Sequence, residues 1–310
     1  MVAELSKRLL EGDRWALTRV LTHVENGYAE GRDELRDLFP RSGGAHIVGI
    51  TGPTGSGKST LTGALAREYR KRGSAVGIVA VDPTSPFSHG AILGDRIRMQ
   101  DLTADPDVFI RSMATRGAMG GLAAATGDVV TVLDAAGKDV VLVETVGAGQ
   151  DEIDIADTAH TTVVINIPGA GDDVQAIKAG ILEIADILVV NKADHPAAES
   201  VFKQLHIFTD LQRQEGWDVP ILKTVAYKEQ GITELFDAVQ KHREYLSESG
   251  RLEEMRRHRA RRQLLVVAQK MLLDRAVEAS GGERVEELVD AIAAYKLDPH
   301  TAAERLISSG

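Results

Sequence analysis

The chain contains no cysteine, which removes disulfides, thiolate zinc sites and cysteine nucleophiles and is compatible with a reducing compartment. It also lacks any apolar run long enough to span a bilayer. Its first residues, Met-Val-Ala-Glu-Leu-Ser-Lys-Arg, have no apolar core of signal-peptide length. A soluble, cytoplasmic protein with no membrane partner is expected. Positive charge is in deficit: 36 Lys and Arg face 46 Asp and Glu, a net charge of −10. Phosphate backbones demand a basic face, so nucleic acid is not the expected partner. The nine histidines are scattered without close helical pairing, so no histidine metal site is expected, and lone ones such as His89 and His195 read as solvated or structural. No G-x-G-x-x-G occurs, which excludes the dinucleotide fingerprint.

What remains is an ordinary globular composition, 43% hydrophobic and 26% charged over 310 residues, enough for one large α/β domain with extensions or two small domains. Residues 3–38 read as two short amphipathic helical segments broken near Gly27 and Gly31. Strand-like runs follow at 46–51, 76–81, 107–111, 139–144, 161–167, 186–190 and 220–225, alternating with helix-like ones. Most are continuously apolar, as in Val140-Val141-Leu142-Val143, the signature of strands covered on both faces. The pattern predicts an α/β fold with a mostly parallel sheet flanked by helices, whose ligands collect at the carboxyl ends of strands. Residues 231–310 read as helix only, at 231–245, 250–277, 281–294 and 298–308. The arginines of 251–262 interleave with Glu253 and Glu254, and read as a solvated face or a subunit contact. The expected organisation is a helical extension at 1–42, a core at 43–247 and a helical arm at 248–310 that serves dimerisation.

Residues 52–60, Gly52-Pro53-Thr54-Gly55-Ser56-Gly57-Lys58-Ser59-Thr60, fit G-x-x-x-x-G-K-[ST] between the apolar run 46–51 and a helix whose Leu61, Ala64, Leu65 and Tyr69 share a face. Strand, glycine-rich turn and helix N-terminus make an anion cradle: backbone N–H groups and the helix dipole point at phosphate. In this reading Lys58 reaches the β- and γ-phosphates and the Ser59 hydroxyl holds Mg²⁺.

Asn191-Lys192-Ala193-Asp194 follows the run 186–190 and matches N-K-x-D, the guanine-reading motif. A buried carboxylate at Asp194 would accept from both the ring N–H and the exocyclic amine of guanine. Adenine lacks that donor pair and would leave the carboxylate unpaired, so GTP and GDP are favoured over ATP. Asp82 and Glu144 end strand-like runs and suit first- or second-shell Mg²⁺ roles, with capping of the next turn as the alternative for Asp82. Gly147 lies where a switch glycine would offer its N–H to the γ-phosphate, or is a plain turn glycine. Ras-like proteins place a water-positioning glutamine directly after that glycine. Ala148 stands there instead, with Gln150 two residues on, so slow intrinsic hydrolysis completed by a partner or a moving loop is expected. Arg116 and Lys178 are candidate transition-state cations, or ordinary surface charges.

With these residues assembled, the chain resembles the MeaB/ArgK-type G-protein chaperones of methylmalonyl-CoA mutase. The resemblance runs through Val81-Asp82-Pro83-Thr84-Ser85-Pro86-Phe87, Ile92-Leu93-Gly94-Asp95-Arg96-Ile97-Arg98-Met99, Phe109-Ile110-Arg111-Ser112, Thr115-Arg116-Gly117, Glu144-Thr145-Val146-Gly147-Ala148-Gly149-Gln150, residues 171–180 and the 191–194 motif. It implies a homodimeric P-loop GTPase, related to the metallochaperone GTPases, with helical extensions at both ends. Slow GTP hydrolysis would be accelerated by the mutase, and the GTPase would gate adenosylcobalamin loading and protect its client. By match, Asp82, Asp95 and Glu144 would be the magnesium and switch acids. Residues 171–180 would be a loop coupling nucleotide state to the mutase, with Lys178 its charged contact.

Two departures stand out. The P-loop interior reads Pro53-Thr54-Gly55-Ser56 in place of the commoner Val-Pro-Gly-Val. The loop expected to end in Ser-Ala reads Thr224-Val225-Ala226-Tyr227, losing a serine hydroxyl while leaving the Ala226 N–H for the guanine carbonyl oxygen. Val225, Ala226 and Tyr227 complete the expected nucleotide contacts. The alternatives are a P-loop ATPase or kinase linked to amino-acid transport, a nickel-type metallochaperone (disfavoured without cysteine), and a nucleotide-gated scaffold without turnover. Isobutyryl-CoA and ethylmalonyl-CoA mutases are further possible clients.

Overall fold

The computed structural model describes residues 2–82, 99–114, 121–145, 151–168, 179–211 and 216–308. Seven parallel strands form one sheet: β1 His46–Thr51, β2 Val76–Asp82, β3 Val108–Ala114, β4 Val140–Glu144, β5 Thr161–Asn166, β6 Ile187–Val190 and β7 Ile221–Lys223. Their order is β3-β2-β4-β1-β5-β6-β7, so β1 lies centrally, between β4 and β5. All seven match the runs read from the sequence; β1, β4, β5 and β6 are buried throughout, and burial on both faces leaves no polar alternation in most of them. The register pairs Ile50 with Glu144 and Thr51 with Val164, which brings the tips of β4 and β5 alongside the loop that leaves β1.

The two sheet faces carry separate cores. On one, Val48 and Ile50 of β1 pack with Leu61, Leu65 and Tyr69 of α4 (Lys58–Lys71) and with Phe236 and Val239 of the helix Ile232–Glu248. Tyr69 meets Phe236 edge-to-face at 4.8 Å. Burying each such side chain contributes roughly 2 kcal/mol. On the other face, Val79, Val141 and Val143 pack against the helix Gly121–Ala135 and against Leu9, Leu17, Val20 and Leu21. Those last four belong to α1 (Val2–Leu10) and α2 (Arg14–Glu25), so the N-terminal helices share the core of the sheet.

The N-terminal reading needs a correction. There are three helices, the third being α3 (Ala29–Leu38), and the additional break falls at Gly12-Asp13. Asp13 starts α2 by accepting from the Trp15 and Ala16 N–H groups at 2.8 and 3.1 Å; the Ala16 bond, then the Arg8 guanidinium and the Trp15 bond, hold its carboxyl below the ordinary range. Gly31 does not break a helix. It lies inside α3, where an added Cβ would come within 2.6 Å of the His23 carbonyl carbon, so glycine lets α3 press against α2.

At the amino ends of the strands lies a polar chain, buried except at its half-buried end, Asp186. His46 Nε2 is 2.9 Å from Thr161 Oγ1, which is 2.9 Å from His242 Nδ1. His242 Nε2 lies 3.4 Å from Asp186 Oδ1, and Asp186 Oδ2 accepts the Thr162 N–H at 2.7 Å. Burial pushes the Asp186 carboxyl up to about 7 and the His242 imidazole down to about 4. The raised acid favours folding while it carries its proton, so its contribution fades as pH climbs from its ordinary value of 3.8 toward 7. The lowered histidine acts oppositely, its contribution fading as pH falls below 6.5. Asp186→Asn isolates the first effect: the melting temperature of the unmodified protein minus that of the variant should rise by a few degrees between about pH 7.5 and about pH 5.5. A difference that stays constant across that range contradicts the assignment.

By contacts the chain divides into two compact units, 1–255 and 256–310, with the boundary inside the long helix Arg251–Ser280. The second unit completes that helix and adds Gly282–Ala293 and Pro299–Ser308. Helix Arg251–Ser280 buries none of its residues, and Leu264, Leu265, Met271, Leu272 and Leu273 are exposed. No helix among the described residues is long and apolar enough to cross a membrane.

Candidate nucleotide site

The glycine-rich turn leaves β1 at its carboxyl end and delivers the chain into α4. Gly52 has φ 144°, and an added Cβ would lie 2.4 Å from the Ile165 carbonyl oxygen, so only glycine lets the turn cross the tip of β5. Gly57 caps α4 with φ 89° and no side-chain cap, so the first-turn N–H groups are not taken up by a capping side chain. A helix start of this kind suits an anion. Lys58 folds back over the turn, its Nζ donating to the Gly52 and Pro53 carbonyls at 2.9 and 3.1 Å, and its side chain is buried. The turn is closed by the Ser56 N–H donating to the Pro53 carbonyl at 3.1 Å.

One residue on, Ser59 donates to Glu144 Oε1 at 2.6 Å, both side chains being buried. A hydroxyl from the first turn of α4 and a carboxylate at the tip of β4 form a hard-oxygen donor set, which fits Mg²⁺. Behind them Thr145 Oγ1 donates to Thr51 Oγ1 at 2.9 Å. The end of β2 at Asp82 is described in backbone only. Asp95, Arg116, Gly147, Gln150 and Lys178 lie outside the described residues.

The N-K-x-D segment follows β6, and its asparagine joins two parts of the site. Asn191 Nδ2 donates to the Ser56 carbonyl at 2.8 Å, while its Oδ1 accepts from Thr224 Oγ1 at 3.0 Å and the Ala226 N–H at 3.1 Å. The Ala226 N–H, expected to face a guanine carbonyl oxygen, is thus directed at Asn191. Lys192 adopts φ 56° at the turn, and the Ala193 N–H donates to the Thr224 carbonyl at 3.0 Å. Asp194 was expected buried. It sits instead on an exposed rim, where Oδ2 accepts from Tyr227 OH at 2.7 Å, with Lys228 Nζ at 3.4 Å. A carboxylate that must receive a base has to be reachable, and here the rim makes it so. The Tyr227 bond chiefly, helped by Lys228, holds its carboxyl below the ordinary range.

Sequence reasoning missed several residues here. Thr51, Thr145 and Thr224 carry hydroxyls into the site, and Asn166, at the tip of β5, is 2% exposed with neither side-chain polar atom hydrogen-bonded. The rule that ligands gather at carboxyl ends of parallel strands would have flagged Asn166. Thr145 and Thr224 lie inside segments already singled out, but the bonds their hydroxyls make emerge only once β1, β4 and β7 are placed.

Comparison with known proteins places this geometry in context. The profile of the family described as methylmalonyl Co-A mutase-associated GTPase MeaB matches residues 17–281. A Pyrococcus abyssi protein whose name carries the word GTPase is 48% identical over 311 residues, covering 99% of this chain and 96% of that protein. The GTPase ArgK of Escherichia coli is 34% identical over 268 residues, covering 84% of this chain and 81% of its own. Among solved structures, that of a LAO/AO transport system kinase is 26% identical with a TM-score of 0.74, covering 98% of this chain and 96% of the other.

Proposed function

The chain belongs to the family of methylmalonyl-CoA mutase-associated GTPases, MeaB, and from that premise we propose that it is a GTP-hydrolysing chaperone for methylmalonyl-CoA mutase or a related acyl-CoA mutase, gating cobalamin loading and protecting the client. The observation that carries the nucleotide reading is the Asn191 side chain, bonded at one end to the glycine-rich turn and at the other to the 224–226 loop. One molecule of phosphate-bearing guanine nucleotide can therefore meet both segments. The family's description, with its mutase association, supports the client reading.

In this reading Lys58 and the N–H groups starting α4 orient the phosphates, while Asp194 takes the guanine donors. Ser59 would hold Mg²⁺, with Glu144, Asp82 and Asp95 as the surrounding acids. Bound Mg²⁺ would neutralise charge building on the β- and γ-phosphate oxygens. Gly147, Gln150, Arg116 and Lys178 are proposed for the switch, the water and the transition-state charge. The exposed apolar side chains of helix Arg251–Ser280 support a homodimer formed through the C-terminal arm. Composition supports a cytoplasmic location.

A kinase or transport ATPase, the kind named by the solved relative, would need an acceptor pocket and ATP. Equilibrium binding separates the readings: the protein should prefer GTP over ATP by about a hundredfold or more, given a site built to pair guanine donors. Single-turnover hydrolysis should be slow and should accelerate on adding the mutase. A preference for ATP, or hydrolysis indifferent to the mutase, would refute the corresponding half of this proposal.

A further inference from the structure

The loop after β7 departs from the Ser-Ala ending that the family resemblance leads one to expect, and the structure shows where its hydroxyls go. Thr224 donates to Asn191, and Tyr227 donates to Asp194 at 2.7 Å. Tyr227 is 65% exposed, so burial does not dictate its place. Its backbone does. Residues 226–228 form a single 3-10 turn, closed by Val225 N–H to the Gln230 carbonyl at 3.1 Å and Gln230 N–H to the Val225 carbonyl at 3.3 Å, with Glu229 in the left-handed region at φ 54°. A side chain on such a closed turn holds its partner far better than one on an open loop. Lys228 Nζ lies 5.1 Å from the Tyr227 ring centre and reaches the same Asp194 oxygen, so ring, ammonium and carboxylate form one cluster.

Building on the guanine-nucleotide reading above, we propose that Tyr227 is the positioning residue of the base site, its hydroxyl fixing the Asp194 carboxylate so that both oxygens face the ring N–H and exocyclic amine of guanine. Tyr227 performs this role from outside the base, without itself reading it. An ionised carboxylate offers about four lone-pair sites. Tyr227 occupies one at Oδ2, where Lys228 Nζ approaches only to 3.4 Å, which leaves sites on both oxygens for the two guanine donors. Adenine makes no use of Asp194, so the hydroxyl should bear on guanine alone.

The test is Tyr227→Phe, which removes one oxygen and keeps the ring. Affinities of the full-length protein for GDP and ADP are measured by titration calorimetry, alongside the melting temperature. The GDP-over-ADP preference should fall about tenfold, through GDP alone, with ADP affinity and melting temperature unchanged, since a hydrogen bond to a charged group is being lost. An unchanged preference overturns the proposal, and so does an equal loss for both nucleotides, which would make Tyr227 a mere scaffold of the loop. Lys228→Met should change the preference less than Tyr227→Phe; a larger effect would transfer the role to the ammonium. A parent protein without guanine preference would instead defeat the guanine reading itself, whatever the variant does.

Discussion

Replacing Lys58 by alanine is expected to weaken GTP and GDP binding by roughly a hundredfold, the equivalent of about 2.8 kcal/mol, while the melting temperature shifts by no more than a few degrees. The size follows from chemistry: an ammonium bridging two phosphates makes charge-assisted bonds, each stronger than a neutral one. The small stability effect follows from geometry. The Nζ donates to the Gly52 and Pro53 carbonyls of the turn it would serve, and the strands and α4 are held by the apolar core beneath them. Titration calorimetry and thermal melting together check this. Near-native affinity in Lys58→Ala would withdraw the phosphate assignment, whereas a collapsed melting temperature would show the side chain to be a structural tie.

The second large effect concerns base choice. Asp194→Asn exchanges a group that only accepts for one that accepts and donates. Guanine then meets an amide N–H with its own amine and loses two bonds to a charged acceptor, so GTP affinity should fall about a hundredfold. Xanthine carries a carbonyl oxygen where guanine carries the amine, so xanthosine triphosphate should gain affinity in the same variant. Competition binding with the two nucleotides measures both changes. Guanine selectivity that survives the substitution would remove Asp194 from the base site.

The strands were legible because their burial leaves a continuous mark, as in Ile187-Leu188-Val189-Val190, each 1% exposed or less. The breaks between the first helices were less so. Glycine weakens a helix and also permits close approach, and Gly31 does the second; nothing local in the sequence separates the two. The Asp13 cap is written in the sequence as an aspartate following Gly12, a start signal more local than the glycines at 27 and 31. In the site, the phosphate turn declared itself because its chemistry lies in nine contiguous residues. The Tyr227 clasp did not, since 33 residues separate it from Asp194 and only the pairing of β6 with β7 brings them together. Asn191 was read as part of a base motif, but its double attachment depends on three loops that no local pattern connects.

That double attachment bears on exchange. A ligand held at two ends ordinarily departs by peeling, one end loosening while the other still grips. Here the amide of Asn191 spans both grips, so slackening around Ala226 pulls directly on the Ser56 carbonyl, and the reverse holds as well. With a nucleotide held as proposed, departure would be a concerted event, the loosening of either grip being felt at the other.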